Sequence, residues 1–335
     1  MSSEAGPIGP DSLSDQLRAA GTQTLRLLNR RSYGFALLLT LALLAITIIR
    51  DPGGFGLTDQ LANFSPIAIA AMASTPAIIS GGGGFDLTIS PLMTLTSAVF
   101  VAWLVPHGLG GFEAIPILLA IGAAMGALNG VMIAVLRVQP VVVTLSMYFV
   151  LLGVDLLIVP NPLGLKGSWV TDLAHSVGPF PGALITLGIP LVIWAALGRI
   201  PYRRTLYAVG SNDATAFSAG VNVAVVRIWA YALGGLFAGV GGLALTALVG
   251  SVNASLASTY TLLAIAAVAL GGTSLWGGRG GLFGALLGAA SIYLLQNLLT
   301  TLGVNPSWLQ VVYGGMLVLA VVLVGAGTRA KEPAS

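Results

Sequence analysis

The chain reads as an all-α, polytopic membrane protein with about ten transmembrane helices, and three observations support that fold class. Of its 335 residues, 56% are hydrophobic and only 7% are charged, whereas soluble domains carry about 25% charged residues. The apolar residues gather in runs near the roughly 20 residues that a helix needs to cross a hydrocarbon core of about 30 Å. Those runs are continuous rather than alternating, which disfavours strands, and only helices or closed barrels satisfy the backbone in lipid.

Taken in order, residues 1–31 are polar, contain Pro7 and Pro10, and lack the apolar core of a cleavable signal peptide. They read as a cytoplasmic tail. A membrane domain over 32–325 follows, with spans expected at 32–49, 61–80, 90–105, 115–136, 141–159, 182–197, 228–249, 260–275, 282–302 and 308–324. Residues 326–335 form a second cytoplasmic tail. The absence of cysteine removes disulfides, thiolate nucleophiles and cysteine metal sites.

The basic residues orient the bundle. With ten crossings and the N-terminus inside, twelve of the fourteen fall on the cytoplasmic side, Arg50 and Lys166 being the exceptions. An odd count would set one half of the chain against this rule. The net charge of +3 is therefore a matter of membrane orientation and gives no reason to expect nucleic acid.

Between the sixth and seventh spans lies a small, polar, cytoplasmic stretch, 205–222, "TLYAVGSNDATAFSAGVN". Ser211 or Asn212 can cap a helix there, Asp213 sits in the first turn where the helix dipole favours an anion, and Gly220 suits the left-handed residue that ends it. A helix of about seven residues is unstable alone in water, so it needs a surface. Ala214, Ala216, Ser218 and Ala219 permit close approach, and Phe217 offers one apolar anchor. Docking on the chain's own membrane domain and docking on another protein both fit this pattern.

Asp86 is a carboxylate flanked by apolar chain, and the glycines 81–84 before it, Gly84 included, let the backbone approach a neighbour. The Asp-Leu-Thr order places it at a helix start. Arg279, in "GGTSLWGGRGG" (271–281), lacks the Gly-Lys-Ser or Gly-Lys-Thr ending of a nucleotide loop. It reads as a positive anchor on a tight turn. His107 and His175 lie in outer loops near Glu113 and Asp172, but their spacing does not suggest the three or four convergent ligands of a metal site. No catalytic cluster and no metal site is expected.

Five segments carry a resemblance. "YAVGSNDATAFSAGVNV" (207–223) resembles the coupling segment of ATP-binding-cassette permeases of the ribose and monosaccharide type, with Asn212, Asp213, Ala214, Gly220, Asn222 and Val223 matching by identity or like chemistry. Thr215 replaces an alanine there, and Ala219 a serine. "GGFDLTIS" (83–90), "GALNGVMIAVLRVQPVVVTLSMYFVLLG" (126–153), "AIAAVALGGTSLWGGRGG" (264–281) and "LQNLLTTLGVNPSWLQVV" (295–312) resemble further family segments in the same order. Together they span most of 64–324.

The resemblance implies a type II-like importer permease in a prokaryotic inner membrane, both termini cytoplasmic. The expected partners are cytoplasmic ATPase subunits that bind ATP and Mg, a second permease subunit, identical or homologous, and an extracytoplasmic solute-binding protein meeting the outer loops. Asn212, Asp213, Ala214, Phe217 and Gly220 would contact the ATPase. Gly84, Asp86 and Arg279 would serve as structural or gating residues, Asp86 either at a gate or as the N-terminal carboxylate of span three. Polar groups at membrane depth usually face protein or a water-filled cavity, which makes Asn63, Phe64, Asn129, Thr144, Tyr148, Gln296 and Asn297 the candidates for the solute path. Phe64 and Tyr148 are suited to stack on a sugar ring, while helix packing explains each residue singly. Spans three and eight are the shortest and occupy equivalent places in a five-plus-five division, a pattern that can mark the site in inverted-repeat transporters.

The chain also departs from the family pattern. Tyr260, Thr261, Leu262 and Leu263 stand where sugar permeases commonly have Tyr-Glu-Leu-Asp, Gln296, Asn297 and Leu298 replace Asn-Asn-Gly, and Pro76 is unusual in span two. These changes keep open another cargo, such as a branched-chain amino acid, nucleoside or signalling furanose. An ion-coupled secondary transporter is the rival class, and Asp86 and Asp155 are the carboxylates it could use.

Overall fold

The computed structural model describes residues 33–50, 56–165 and 167–305, together with Trp308, Val311, Val312, Gly314, Gly315 and Val318. Both expected tails, Lys166 and most of the expected tenth span lie outside the described residues. The remaining nine expected spans each coincide with a helix. These are α1 (Gly34–Arg50), α2 (Leu57–Ile79), α3 (Ile89–Val99, continued by a π-helical turn Phe100–Leu104), α4 (Ala114–Ala134), α5 (Pro140–Ile158), α6 (Ala183–Leu197), α9 (Val223–Val249), α10 (Tyr260–Leu270) and α11 (Leu282–Thr301). Between α6 and α9 stand α7 (Tyr202–Ser211) and α8 (Asp213–Ser218). By length and composition α2, α4, α5, α9 and α11 are each able to cross a membrane, and α6 reaches that mark only together with α7, to which it is bent by 86°. The other three are shorter apolar helices.

Helices α2 and α9 form the centre, with 89% and 83% of their most apolar stretches buried, against 33% for α4 and 22% for α5. The outer helices are the more uniformly apolar ones, because a face turned to lipid has to be hydrophobic while a face turned to another helix has to be small. Along α4, Gly122, Gly126 and Gly130 recur every four residues and so share one face. A methyl group added to Gly126 would stand 2.1 Å from the Tyr231 carbonyl oxygen of α9, and one on Gly122 2.2 Å from that of Gly235. The two backbones therefore touch. Helix α2 runs unbroken through Pro66 and Pro76, so the unusual proline of span two does not end it.

At one end of the bundle the 161–181 region folds as a deck. Strand β1 (Leu163–Gly164) pairs antiparallel with β4 (Ser251–Val252), and β2 (Ser176–Val177) pairs with β3 (Phe180–Pro181). A 3-10 turn, Trp169–Ala174, lies between β1 and β2, and the Trp169 indole donates to the Gly110 carbonyl at 2.8 Å. At the opposite end, which carries Arg137, Arg203, Arg227 and Arg279, the loops after α2 and α10 meet α7.

Candidate coupling and translocation sites

At the arginine-bearing end, α7 turns into α8 through Asn212, whose extended backbone and side-chain oxygen, accepting from the Thr215 N–H at 2.9 Å, cap the short helix. Helix α8 holds six residues, one fewer than expected. Gly220 closes it at φ 83°, and Asn222 caps α9 by accepting from the Val225 N–H at 3.2 Å. Sequence reasoning missed the contact that Asp213 makes: its Oδ2 accepts from Arg227 Nη2 at 3.0 Å. Ala216 is the buried residue of the short helix, whereas Phe217 is 72% exposed and lies in the wall of the open cleft beside α8. The reason is helical geometry, since α8 presents one face at a time and the short alanine fits the close approach. Ala214, Ser218 and Ala219 are exposed.

Helix α7 is fixed to the bundle by backbone contact. A methyl group on Gly210 would come 1.8 Å from the Ile79 carbonyl oxygen and 2.6 Å from the Gly278 nitrogen, and one on Gly277 2.4 Å from Cα of Gly81. The Gly278 N–H donates to the Ile79 carbonyl at 3.0 Å, and the Tyr207 hydroxyl donates to the Gly280 carbonyl at 2.7 Å. Burial raises the pKa of the Tyr207 hydroxyl above its ordinary value of 10.0, against a smaller lowering by the Arg203 charge, so it stays a donor at physiological pH. Arg203 itself lies 6.0 Å from the Trp194 ring. Thus the two glycine-rich loops singled out in the sequence and the helix leading into α8 form one junction. Arg279 is exposed at its edge.

Behind this junction the 81–88 loop carries Asp86 into the bundle, where it is 1% exposed. Its Oδ1 accepts from both the N–H and the hydroxyl of Thr88, at 2.9 and 2.5 Å, which is the arrangement of a carboxylate at the start of α3. Asn129 of α4 donates to Thr88 Oγ1 at 3.0 Å, and Thr144 of α5 donates to the Phe85 carbonyl at 3.3 Å as well as to that of Pro140 at 2.9 Å. Asp86 Oδ2, Asn129 Oδ1 and the Tyr231 hydroxyl are buried without a hydrogen-bond partner among the described residues. Asp155, fully buried on α5, has both carboxylate oxygens in that condition. The Gly84 position is filled from below: a methyl group there would meet the Ala77 carbonyl oxygen at 2.3 Å.

The remaining path candidates gather at the far end. Asn297 Nδ2 donates to Gln60 Oε1 at 2.7 Å, the Tyr293 hydroxyl donates to the same oxygen at 2.6 Å, and the Phe64 and Tyr293 rings lie 5.9 Å apart. Gln296 on α11 is half-buried; Asn63 is exposed and donates to the Asp59 carbonyl at 2.8 Å. Gln60 and Tyr293 were missed, although each lies four residues from a candidate, Phe64 and Asn297, and hence on the same helix face. The aromatic neighbour of Phe64 is Tyr293, while Tyr148, half-buried on α5, has Phe149 at 5.5 Å. Phe64 stands sixteen positions before Ser80, the residue that follows α2, about 24 Å along the helix, so the candidates form two groups at opposite ends rather than one pocket.

A cleft of about 950 Å³ opens at the arginine-bearing end between α8 and the α4–α5 connection, with Gly82, Arg137, Asp213, Phe217, Arg227 and Tyr231 among its walls. Among the described residues no three His, Cys, Asp or Glu side chains converge on a metal site. His107 and His175 each bond through Nδ1 to a backbone carbonyl one turn earlier.

Comparison with known proteins agrees with this architecture. The family described as "Branched-chain amino acid transport system / permease component" matches residues 56–321. The ribose import permease protein of Escherichia coli K12 is 35% identical over 302 residues, covering 86% of this chain and 92% of its own length. The galactose/methyl galactoside import permease protein of Salmonella typhimurium is 30% identical over 327 residues, 88% and 96% of the two chains, and the fructose import permease protein of Rhizobium meliloti is 30% identical over 303, 86% and 83%. No solved structure matches. With two-thirds and more of the chain and of these relatives in register, the protein belongs to the branched-chain amino acid transport system / permease component family of multi-pass membrane permeases.

Proposed function

We propose that the chain is the membrane-spanning subunit of an ATP-binding-cassette importer, that it pairs with a second permease subunit to enclose a path for a monosaccharide, and that separate cytoplasmic ATPase subunits drive it through α8. The likeness to ribose, fructose and galactose permeases supports the cargo class. The observation that carries the coupling role is α8 itself: a capped helix too short to stand alone, fixed to the bundle by its ends and by Asp213, that holds Phe217 outward with 72% of its surface exposed. An exposed aromatic side chain held on a capped helix at the polar end suits the anchor of a docking contact, where aromatic residues are enriched. Under this reading the arginine-bearing end is cytoplasmic, both termini lie on the cytoplasmic side of a prokaryotic inner membrane, and a binding protein meets the opposite deck.

The solute path runs between the two polar groups. Gln60, Phe64, Tyr293 and Asn297 offer a ring face and amide and hydroxyl groups at the far end, suited to sugar hydroxyls, while Asp86, Asn129 and Thr144 guard the cytoplasmic end. The Thr261 position, acidic in sugar permeases, here serves structure: its hydroxyl oxygen accepts from the Ser90 N–H at 3.0 Å, so the lost carboxylate is not replaced as a solute ligand. That substitution is the observation favouring a second reading with a less polar cargo on the same machine.

The test is co-purification with candidate ATPase subunits and uptake of labelled ribose, fructose and galactose into vesicles. Asp213→Arg and Phe217→Asp should both abolish ATP-driven uptake, and Phe217→Asp should also release the ATPase. Full assembly and transport in both variants removes the coupling role of α8. Uptake that persists without ATP and collapses with an ionophore overturns the importer reading in favour of ion coupling.

A further inference from the structure

Arg227 occupies a position that no motif singled out. It stands in the second turn of α9, and its Nη2 donates to Asp213 of α8 in the one ion pair found among the described residues. The same nitrogen lies 2.7 Å from the place where a side chain at position 82 would begin. Gly81, Gly82 and Gly83 all have positive φ, between 65° and 74°, and only glycine adopts such a run at little cost. One guanidinium therefore touches both the short helix and the loop that delivers Asp86 into the bundle. One turn further along α9, on the same face, Tyr231 is 1% exposed with its hydroxyl unpartnered, and it lines the same cleft as Gly82, Asp213 and Arg227. Asp213, Arg227, Tyr231 and Gly82 thus face one cleft, with Asp86 four residues along the loop from Gly82.

We propose that Arg227 is the positioning residue through which the location of α8 sets the location of the 81–88 loop, so that movement of the coupling helix is read at the cytoplasmic end of the path. The proposal rests on the reading of α8 as the ATPase contact. Two features suit a linkage that parts and re-forms in each cycle. Asp213 is 54% exposed and Arg227 19%, and ion pairs so open to water hold their partners weakly. Arg227 also reaches both neighbours with the tip of one planar guanidinium, Nη2 meeting Asp213 and lying against position 82. A lysine ends in a flexible, strongly hydrated point charge and lacks the planar fork that holds this placement.

The experiment uses the complete complex in proteoliposomes and measures solute transported per ATP hydrolysed, alongside co-purification of the ATPase. Arg227→Lys and Gly82→Ala should keep the ATPase bound while the transport-to-hydrolysis ratio falls at least fivefold. Asp213→Arg combined with Arg227→Asp should recover at least half of the ratio lost by either single reversal, a rescue that a merely space-filling role does not provide. A wild-type ratio in both Arg227→Lys and Gly82→Ala with assembly intact overturns the proposal while leaving α8 as the docking element. Loss of ATPase binding in Arg227→Lys also overturns it, by making Arg227 part of the docking surface. If Phe217→Asp keeps both assembly and transport, the α8 reading itself falls.

Discussion

The closeness of α4 to α9 yields a paired prediction on glycine. In Gly126→Ala the new methyl would stand 2.1 Å from the Tyr231 carbonyl oxygen, whereas ordinary van der Waals contact begins at 3.4 Å. The two helices must then part locally by about 1.3 Å, and a gap of 0.5–1 Å already forfeits roughly a quarter to a half of a dispersion contact. Because Gly122 and Gly130 lie on the same seam, with backbone or side-chain atoms within 2.2 and 2.7 Å of their own added methyls, the helix cannot relieve the strain by rolling. Overpacking of this kind costs about 1–3 kcal/mol. The same change at Gly153 on α5 meets nothing within 4 Å and gains about 0.5–1 kcal/mol in helix propensity. Thermal unfolding in detergent, followed by the loss of the monodisperse chromatographic peak, should therefore lower the midpoint for Gly126→Ala and leave it level or higher for Gly153→Ala. Equal midpoints for the two variants would refute the backbone-contact account of the α4–α9 seam.

Three further outcomes are expected. Tyr207→Phe removes the 2.7 Å bond to the Gly280 carbonyl and should cost about 0.5–1.5 kcal/mol; because the folded hydroxyl titrates above the unfolded value near 10, its stabilisation is full below pH 10 and fades as pH rises through the folded pKa, which denaturation at pH 7, 9 and 11 checks. Asp155→Leu replaces a buried carboxylate that has no partner among the described residues with an apolar side chain of similar size, and should raise the unfolding midpoint in detergent, because an unsatisfied buried group costs about 1–3 kcal/mol. Asn297→Leu breaks the bond to Gln60 at 2.7 Å and should weaken the apparent affinity for a sugar about tenfold, or about 1.4 kcal/mol, with no change in ATPase assembly; uptake kinetics at wild-type values would remove Asn297 from the path.

Much of the helical layout was legible because lipid leaves the backbone few choices. The runs at 115–136, 141–159 and 282–302 became α4, α5 and α11 with ends shifted by at most two residues. Caps were legible for the same local reason: Asn212 and Gly220 bound a short helix because their side chains and backbone conformations act within a few residues. That Ala216 is the residue of α8 packed against the bundle was not legible, because facing depends on what approaches α8, which no local pattern encodes. Gln60, Tyr293 and Arg227 went unnoticed because each gains its meaning from a partner far along the chain or across a loop, 233 residues away for Tyr293 and Gln60.

The amino-acid sequence by itself determined that this is a helical membrane protein, where its apolar helices fall among the described residues, and that a small capped helix interrupts them between α6 and α9, since hydropathy and capping act over a single element. Tertiary packing alone decided that the two glycine loops and α7 meet at one junction, that the polar residues divide between opposite ends, and that Arg227 bridges α8 to the loop before Asp86. The physical reason is that contact between helices depends on which small residues face each other across tens or hundreds of positions, and periodicity along one helix does not carry that information.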